Sequence, residues 1–201
     1  MSNNQPLAPR FTSALILLIV CLTDSACADR KPAADRSQNN RAEDEATAKE
    51  VRKSAEEGDA SAQNRLGLLY DEGVGVPQNC GQAKEWFEKA AKQGHAGAQT
   101  NLGTLYLQGA GTPQSTQMAL IWFSRAAEQG DVLAFAKLGW IYAQGRGMLQ
   151  DFIQAHMWYN LSAAQGEQRA GEARDALAKQ MTPAQIAEAQ RLAREWKPIK
   201  K

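Results

Sequence analysis

The sequence predicts an all-α protein: a right-handed α/α solenoid of three 36-residue helical hairpins with capping helices at its ends. Three observations predict it. Residues 59–94, 95–130 and 131–166 superimpose without a gap, and twelve columns are identical in all three copies. Ordinary residue frequencies would give about one such column or fewer. Apolar residues within each copy recur at helical spacing, and no segment shows the two-residue alternation of a strand. Glycines and cap-forming residues recur at the same columns, so each copy starts and stops its helices in the same places. Self-similarity at this period means stacked helical hairpins that bury their apolar faces on one another.

Residues 1–28 read as a signal peptide. A run of 12 apolar or small residues, 11–22, follows Arg10. A spanning helix needs about 20. Ala26-Cys27-Ala28 supplies a small-x-small cleavage pattern, so the cut is expected before Asp29. The rival is a lipoprotein signal acylated at Cys27. Asp24 stands three residues before it, where that pattern wants an aliphatic side chain, and cleavage is preferred. The expected location is exported, periplasmic or secreted, with no transmembrane anchor after cleavage. Cys21 and Cys27 would leave with the leader. Cys80 then has no intramolecular disulfide partner and reads as a small buried hydrophobe.

Residues 29–43 are polar, charged and poor in large apolar groups, and are expected to be a disordered spacer. Residues 44–58 read as an N-terminal capping helix. Its Ala55 and Gly58 stand 36 residues before Ala91 and Gly94, so it is the second half of a repeat. An end unit of this kind covers the apolar face of its neighbour.

Each full repeat, 59–94, 95–130 and 131–166, makes two helices. In the first copy the first helix is expected over 60–72, with Ala62, Leu66, Leu69 and Tyr70 on one stripe. Gly67, Gly103 and Gly139 sit inside this helix, although a mid-helix glycine costs about 1 kcal/mol against alanine. Threefold recurrence points to a close approach there. Gly73 and Gly75 break the helix. The second helix starts after Asn79, Ser115 or Asp151, three different residues that all supply an N-cap oxygen. Gln82 and Gln154 follow three residues on, predicting two capping boxes. Ala83, Trp86, Phe87, Ala90 and Ala91 form its expected buried face. Gly94 ends it.

Residues 167–201 are expected to be C-terminal capping helices. One spans about 168–181. The next starts at Thr182-Pro183-Ala184-Gln185, a capping box with Pro at the first helical position, and ends near Trp196.

The sequence carries little that points to catalysis or ligand chemistry. Net charge is +1, so no global field recruits nucleic acid. Gly73-Val74-Gly75 follows a helix and lacks the lysine of a phosphate loop. His95 and His156 lie far apart in the repeat frame, have no partner at metal-ligand spacing, and read as surface or capping residues. No nucleophile–base set stands out. No catalytic residue, metal or cofactor is expected. Lys197, Lys200 and Lys201 read as a solvated basic end.

From Ala62 to Gly94, Ala98 to Gly130 and Ala134 to Gly166 the chain resembles the Sel-one-like repeat family, related to tetratricopeptide repeats. The shared signature is A-x-x-x-L-G-x-x-Y-x-x-G-x-G, a capping residue, then A-x-x-W-[FY]-x-x-A-A-x-Q-G, with Ser162 the one departure. The resemblance implies a non-catalytic scaffold that holds another protein, as a peptide or a helix, in a concave groove lined by the first helices. The columns implied to face that groove begin at Asn64, Leu68, Asp71 and Glu72. Leu107 and Trp140 would anchor an apolar side chain there. Asn64, Asp71 and Thr100 would supply hydrogen bonds, and Leu68 and Thr104 complete the lining. Trp140 has a second reading, as core beneath the C-terminal helices. Two alternative functions remain: a cell-envelope, peptidoglycan-associated binder, and a β-lactamase-like hydrolase of the kind implied for cysteine-rich relatives. One cysteine within the repeats argues against the last.

Overall fold

The computed structural model describes residues 38–199, with side chains from Arg41 onward. The expected signal peptide and residues 29–37 of the expected spacer lie outside them. The described chain forms α1 (Gln38–Glu56), α2 (Ala60–Glu72), α3 (Cys80–Lys92), α4 (Ala96–Gln108), α5 (Thr116–Glu128), α6 (Val132–Gln144), α7 (Phe152–Ala164), α8 (Gln168–Ala178) and α9 (Pro183–Glu195). Pairs α2/α3, α4/α5 and α6/α7 are hairpins. Successive hairpins pack through α3 on α4 and α5 on α6, with α1 on α2 and both α8 and α9 on α7. This is an α/α solenoid, as the repeat predicted.

Helix α1 begins at Gln38, so the expected spacer ends earlier than 43. Arg41, Ala42 and Glu43 are good helix formers, and extending a docked helix adds one hydrogen bond for each residue fixed. The register of α1 is that of a second half-repeat. A Cβ on Gly111 would fall 2.6 Å from the Cys80 carbonyl, and one on Gly75 would overlap the carbonyl of Asp44, 36 residues before Cys80.

The starts of the helices follow the sequence closely. Asp59, Asp131 and His95 are N-caps, accepting from the backbone N–H of Ala62, Ala134 and Ala98. Asn79, Ser115 and Asp151 do the same for the second helices. The two capping boxes predicted at Gln82 and Gln154 do not close. The N–H of Asn79 already donates to the Tyr70 carbonyl at 2.9 Å, and that of Asp151 to Tyr142 at 3.1 Å, so the glutamines find no free donor. At Thr182 and Gln185, where no tyrosine competes, the box forms on both sides.

Buried glutamines join the first repeats. Gln63 Nε2 donates to the Ala55 carbonyl and Gln63 Oε1 accepts from Gln93 at 2.7 Å. One repeat on, Gln99 donates to Ala91 and accepts from Gln129 at 2.7 Å. In the third copy the column of Gln63 and Gln99 holds Phe135, which stacks on Trp158 at 5.8 Å and meets the edge of Trp196 at 5.0 Å. A polar joint between repeats is replaced by an aromatic one that receives the end of α9.

Two residues differ from expectation. In the full-length, uncleaved chain Cys80 is half-buried and disulfide-bonded, so there it is not the unpartnered buried thiol the sequence suggested. His156, read as a surface or capping residue, is 3% exposed on α7. The column that holds half-buried Lys84 in the first repeat is covered more fully in the third, where α8 and α9 pack on α7.

Candidate partner-binding face

The first helices α2, α4 and α6 carry all seven residues expected to meet a partner, and their spacing by three and four holds each set on one stripe. What the stripe presents depends on how far the neighbouring helices cover it. Leu68, Asn64 and Thr104 keep partly exposed side chains. Asp71 is 9% exposed, Leu107 7%, Thr100 3% and Trp140 3%.

Trp140 and Leu107 therefore do not stand open as apolar anchors. Both belong to the core cluster that also holds Ala136, Ala143 and Met181. The exposed guanidinium of Arg146, from the loop after α6, lies 4.7 Å from the Trp140 ring centroid. Helix α6 shares that cluster with Ala119 and Phe123 of α5, Tyr159 of α7 and Met181, which follows α8. Trp140 Nε1 is buried with no hydrogen-bond acceptor among the described residues.

The polar groups of the stripe are largely committed within the array. Asn64 Oδ1 accepts from Asn101 Nδ2 at 3.0 Å, tying α2 to α4. The Thr100 hydroxyl donates to the N-cap carboxylate of Asp131 at 3.0 Å, tying α4 to the start of α6. The Thr104 hydroxyl donates back to the Thr100 carbonyl. Asn64 and Thr100 hold repeats together, an interaction that column-by-column reading of single helices does not reveal. Leu68 and Thr104, one repeat apart in the same column, remain the accessible pair of the predicted set, beside exposed Glu72 and half-buried Gln108.

The tryptophans at the invariant column are shielded by different means. Lys89 lies 3.6 Å from the Trp86 ring centroid and Arg125 4.7 Å from that of Trp122. Their column holds Leu161 in the third repeat, and there Trp196 meets Trp158 at 6.1 Å. Among the described residues no His, Cys, Asp and Glu side chains gather into a cluster that could hold a metal. Among them, too, no helix is long and apolar enough to cross a membrane.

Burial of His156 disfavours its charged form, and the nearby Arg174 guanidinium adds to the effect, so its pKa lies below the ordinary value. Asp175 opposes this to a smaller extent. With Nδ1 buried and unbonded among the described residues, His156 is a core side chain at the junction with α8.

Comparison with solved structures finds similar helical-repeat proteins, among them two Sel1-type structures. The chain is 32% identical to c5321, titled a protective antigen of uropathogenic Escherichia coli strains with an SLR fold, at a TM-score of 0.57 over 74% of this chain and 40% of that one. It is 30% identical to a Sel1 repeat protein from Oxalobacter formigenes, at a TM-score of 0.64 over 73% of this chain and 43% of that one. The chain thus spans about two fifths of the length of these structures. Comparison with curated proteins finds no match. Sel1 repeat proteins are generally protein-interaction scaffolds and generally non-catalytic. The Sel1 repeat matches residues 60–95, 96–131 and 134–167, more than half of the sequence, and the chain belongs to the Sel1 repeat family.

Proposed function

We propose that this protein is an exported scaffold that holds a partner protein, as an extended peptide or a helix, along the face of its first helices. The observation that carries the reading is the contrast within one column set. Leu66 and Leu102 are wholly enclosed, while Leu68 and Thr104 stay accessible on the same helices, one repeat apart. Residues spent on packing carry no specificity, whereas an accessible column that changes from repeat to repeat can read a partner's successive side chains. The residues assigned to contact are Leu68 and Thr104, with Asn64 at the edge through the amide nitrogen that Asn101 leaves open. Trp140 and Leu107 support them from beneath.

The test is site-specific photocrosslinking in the native compartment. A photoreactive residue at 104 is expected to capture a partner that Leu68→Glu releases, with helicity unchanged by circular dichroism. Unchanged capture in Leu68→Glu would move recognition to another face. Export rests on residues 11–22 and the Ala26-Cys27-Ala28 pattern. Mass spectrometry of the mature protein is expected to find Asp29 at its N-terminus; a lipid-bearing Cys27 would assign it to an envelope membrane instead.

A further inference from the structure

A cleft of about 740 Å³ opens between α1 and α2. Its α1 wall is one helical stripe of Thr47, Glu50, Val51 and Ser54. These residues stand 36 positions before Ala83, Trp86, Phe87 and Ala90. In the full repeat those columns are the buried face of the second helix, and the Phe87 ring is seated on Gly67 of the first. On α1 the same face lines the cleft, with Glu50 exposed, Thr47 and Ser54 half-buried, and Val51 only 8% exposed at its floor. The cleft therefore lies where the packing rule of the array seats a hairpin's first helix. The repeat signature is not written over the preceding columns. Thirty-six residues before Leu66, Gly67 and Tyr70 stand Arg30, Lys31 and Ala34, with Pro32 among them, a residue that breaks helix interiors.

The lining states what would fit. Glu50, Glu57 and Asp59 face one cation, Arg65, so the rim is net acidic. The apolar floor is Val51 and Ala62, continuous with Leu66 and Trp86. At the column where Phe87 demands a glycine opposite, Val51 is several atoms smaller. That leaves space for a branched side chain on whatever packs there.

We propose that this cleft docks a cationic amphipathic helix of a partner protein. The helix takes the place of a hairpin's first helix, with a leucine opposite Val51 and lysines or arginines against Glu50 and Glu57. This is a second surface, independent of the one formed by Leu68 and Thr104.

The test uses the full chain and a fluorescent peptide of 13 residues, the length of α2, with alanines and one leucine on its apolar face and lysines on its flanks. Anisotropy is expected to show binding by this peptide and none by its glutamate counterpart. Glu50→Lys with Glu57→Lys, both at exposed positions, is expected to weaken binding about tenfold with circular dichroism unchanged. Val51→Phe is expected to weaken the leucine peptide and favour one with glycine at that position. Thr104→Arg is expected to leave this binding unchanged, which separates the outcome from that of the first-helix face. Equal binding by the glutamate peptide overturns the proposal, as does indifference to the double charge reversal. Binding only after removal of residues 29–37 would assign the cleft to the chain's own preceding segment. A doubled sedimentation mass that the cleft variants abolish would assign it to a second copy. Either result also overturns the proposal.

Discussion

The ring of Phe87 lies against Gly67 so closely that a Cβ on the glycine would fall 2.6 Å from it. Gly103 stands in the same relation to Phe123 at 2.7 Å, and Gly139 to Tyr159 at 2.7 Å. The recurring mid-helix glycine is the seat of the aromatic that follows each invariant tryptophan.

Gly103→Ala reverses the usual sign of that substitution. In an exposed helix the change stabilises by about 1 kcal/mol. Here the new methyl meets a fully buried ring held on several sides, and a loss of about 1–3 kcal/mol is expected from overpacking. Urea unfolding reads it. Introducing the alanine into a Phe123→Leu background is expected to recover most of the loss, and a midpoint unchanged or raised by Gly103→Ala alone would count against the seat.

Gln99 and Gln129 are expected to be coupled. Replacing Gln99 with leucine removes two hydrogen bonds, the one it donates to the Ala91 carbonyl and the one it accepts from Gln129, while Gly94 N–H still reaches Ala91 and Gln129 still reaches Arg125, at a cost of about 1–3 kcal/mol. A double-mutant cycle with Gln129→Ala is expected to show non-additivity. Additive losses would mean that the Gln129–Gln99 bond does not couple the two ends of repeat two.

Trp140→Ala is expected to destabilise by about 3–5 kcal/mol, as removal of an enclosed tryptophan does. The effect on any partner should follow the loss of fold. A variant that unfolds like wild type but fails to capture a partner would return Trp140 to the binding face.

Trp196→Ala removes the edge contacts to Phe135 and Trp158. Because stability in a repeat array is spread over neighbouring interfaces, the loss should be local. Hydrogen exchange is expected to accelerate in α8, α9 and α7 and to stay unchanged in α2 and α3. Uniform acceleration would show that the array opens as one unit.

His156 predicts a pH dependence with a definite sign. Its pKa is lowered in the folded protein, so the unfolded chain binds the proton more readily. The contribution is fully present above the ordinary value of 6.5 and is lost as pH falls below it toward the folded value. His156→Leu, the residue repeat two carries as Leu120, should remove this component. The difference in unfolding midpoint between neutral pH and pH near 5 is expected to be smaller in the variant. An equal difference would assign the acid sensitivity to other groups.

The helices and their caps were readable because their causes are local. Asp59 caps Ala62 three residues away, and Gly73 adopts φ 68° at the end of α2. Gly67 could be recognised as a close approach from its recurrence, though not what approached it. The two unformed capping boxes show the limit of the same logic, since the Tyr70 carbonyl that displaces Gln82 arrives from the preceding helix. The candidate face was readable only as a set of columns. Asn64 pairs with Asn101 and Thr100 with Asp131, so hydrogen-bonding groups expected to await a partner already serve the array.

By itself the sequence determined the repeat, the helix boundaries within the three repeats, their N-cap residues and the shared buried face of the second helices, because periodicity and capping act within a few residues along the chain. The tertiary structure decided which residues of the first-helix stripe reach solvent, that His156 and Trp140 are enclosed, and that Phe135 replaces a glutamine joint with a seat for Trp196. Exposure and side-chain partnership are set by helices distant in sequence, and identical columns acquire different surroundings at the middle and the ends of a stack.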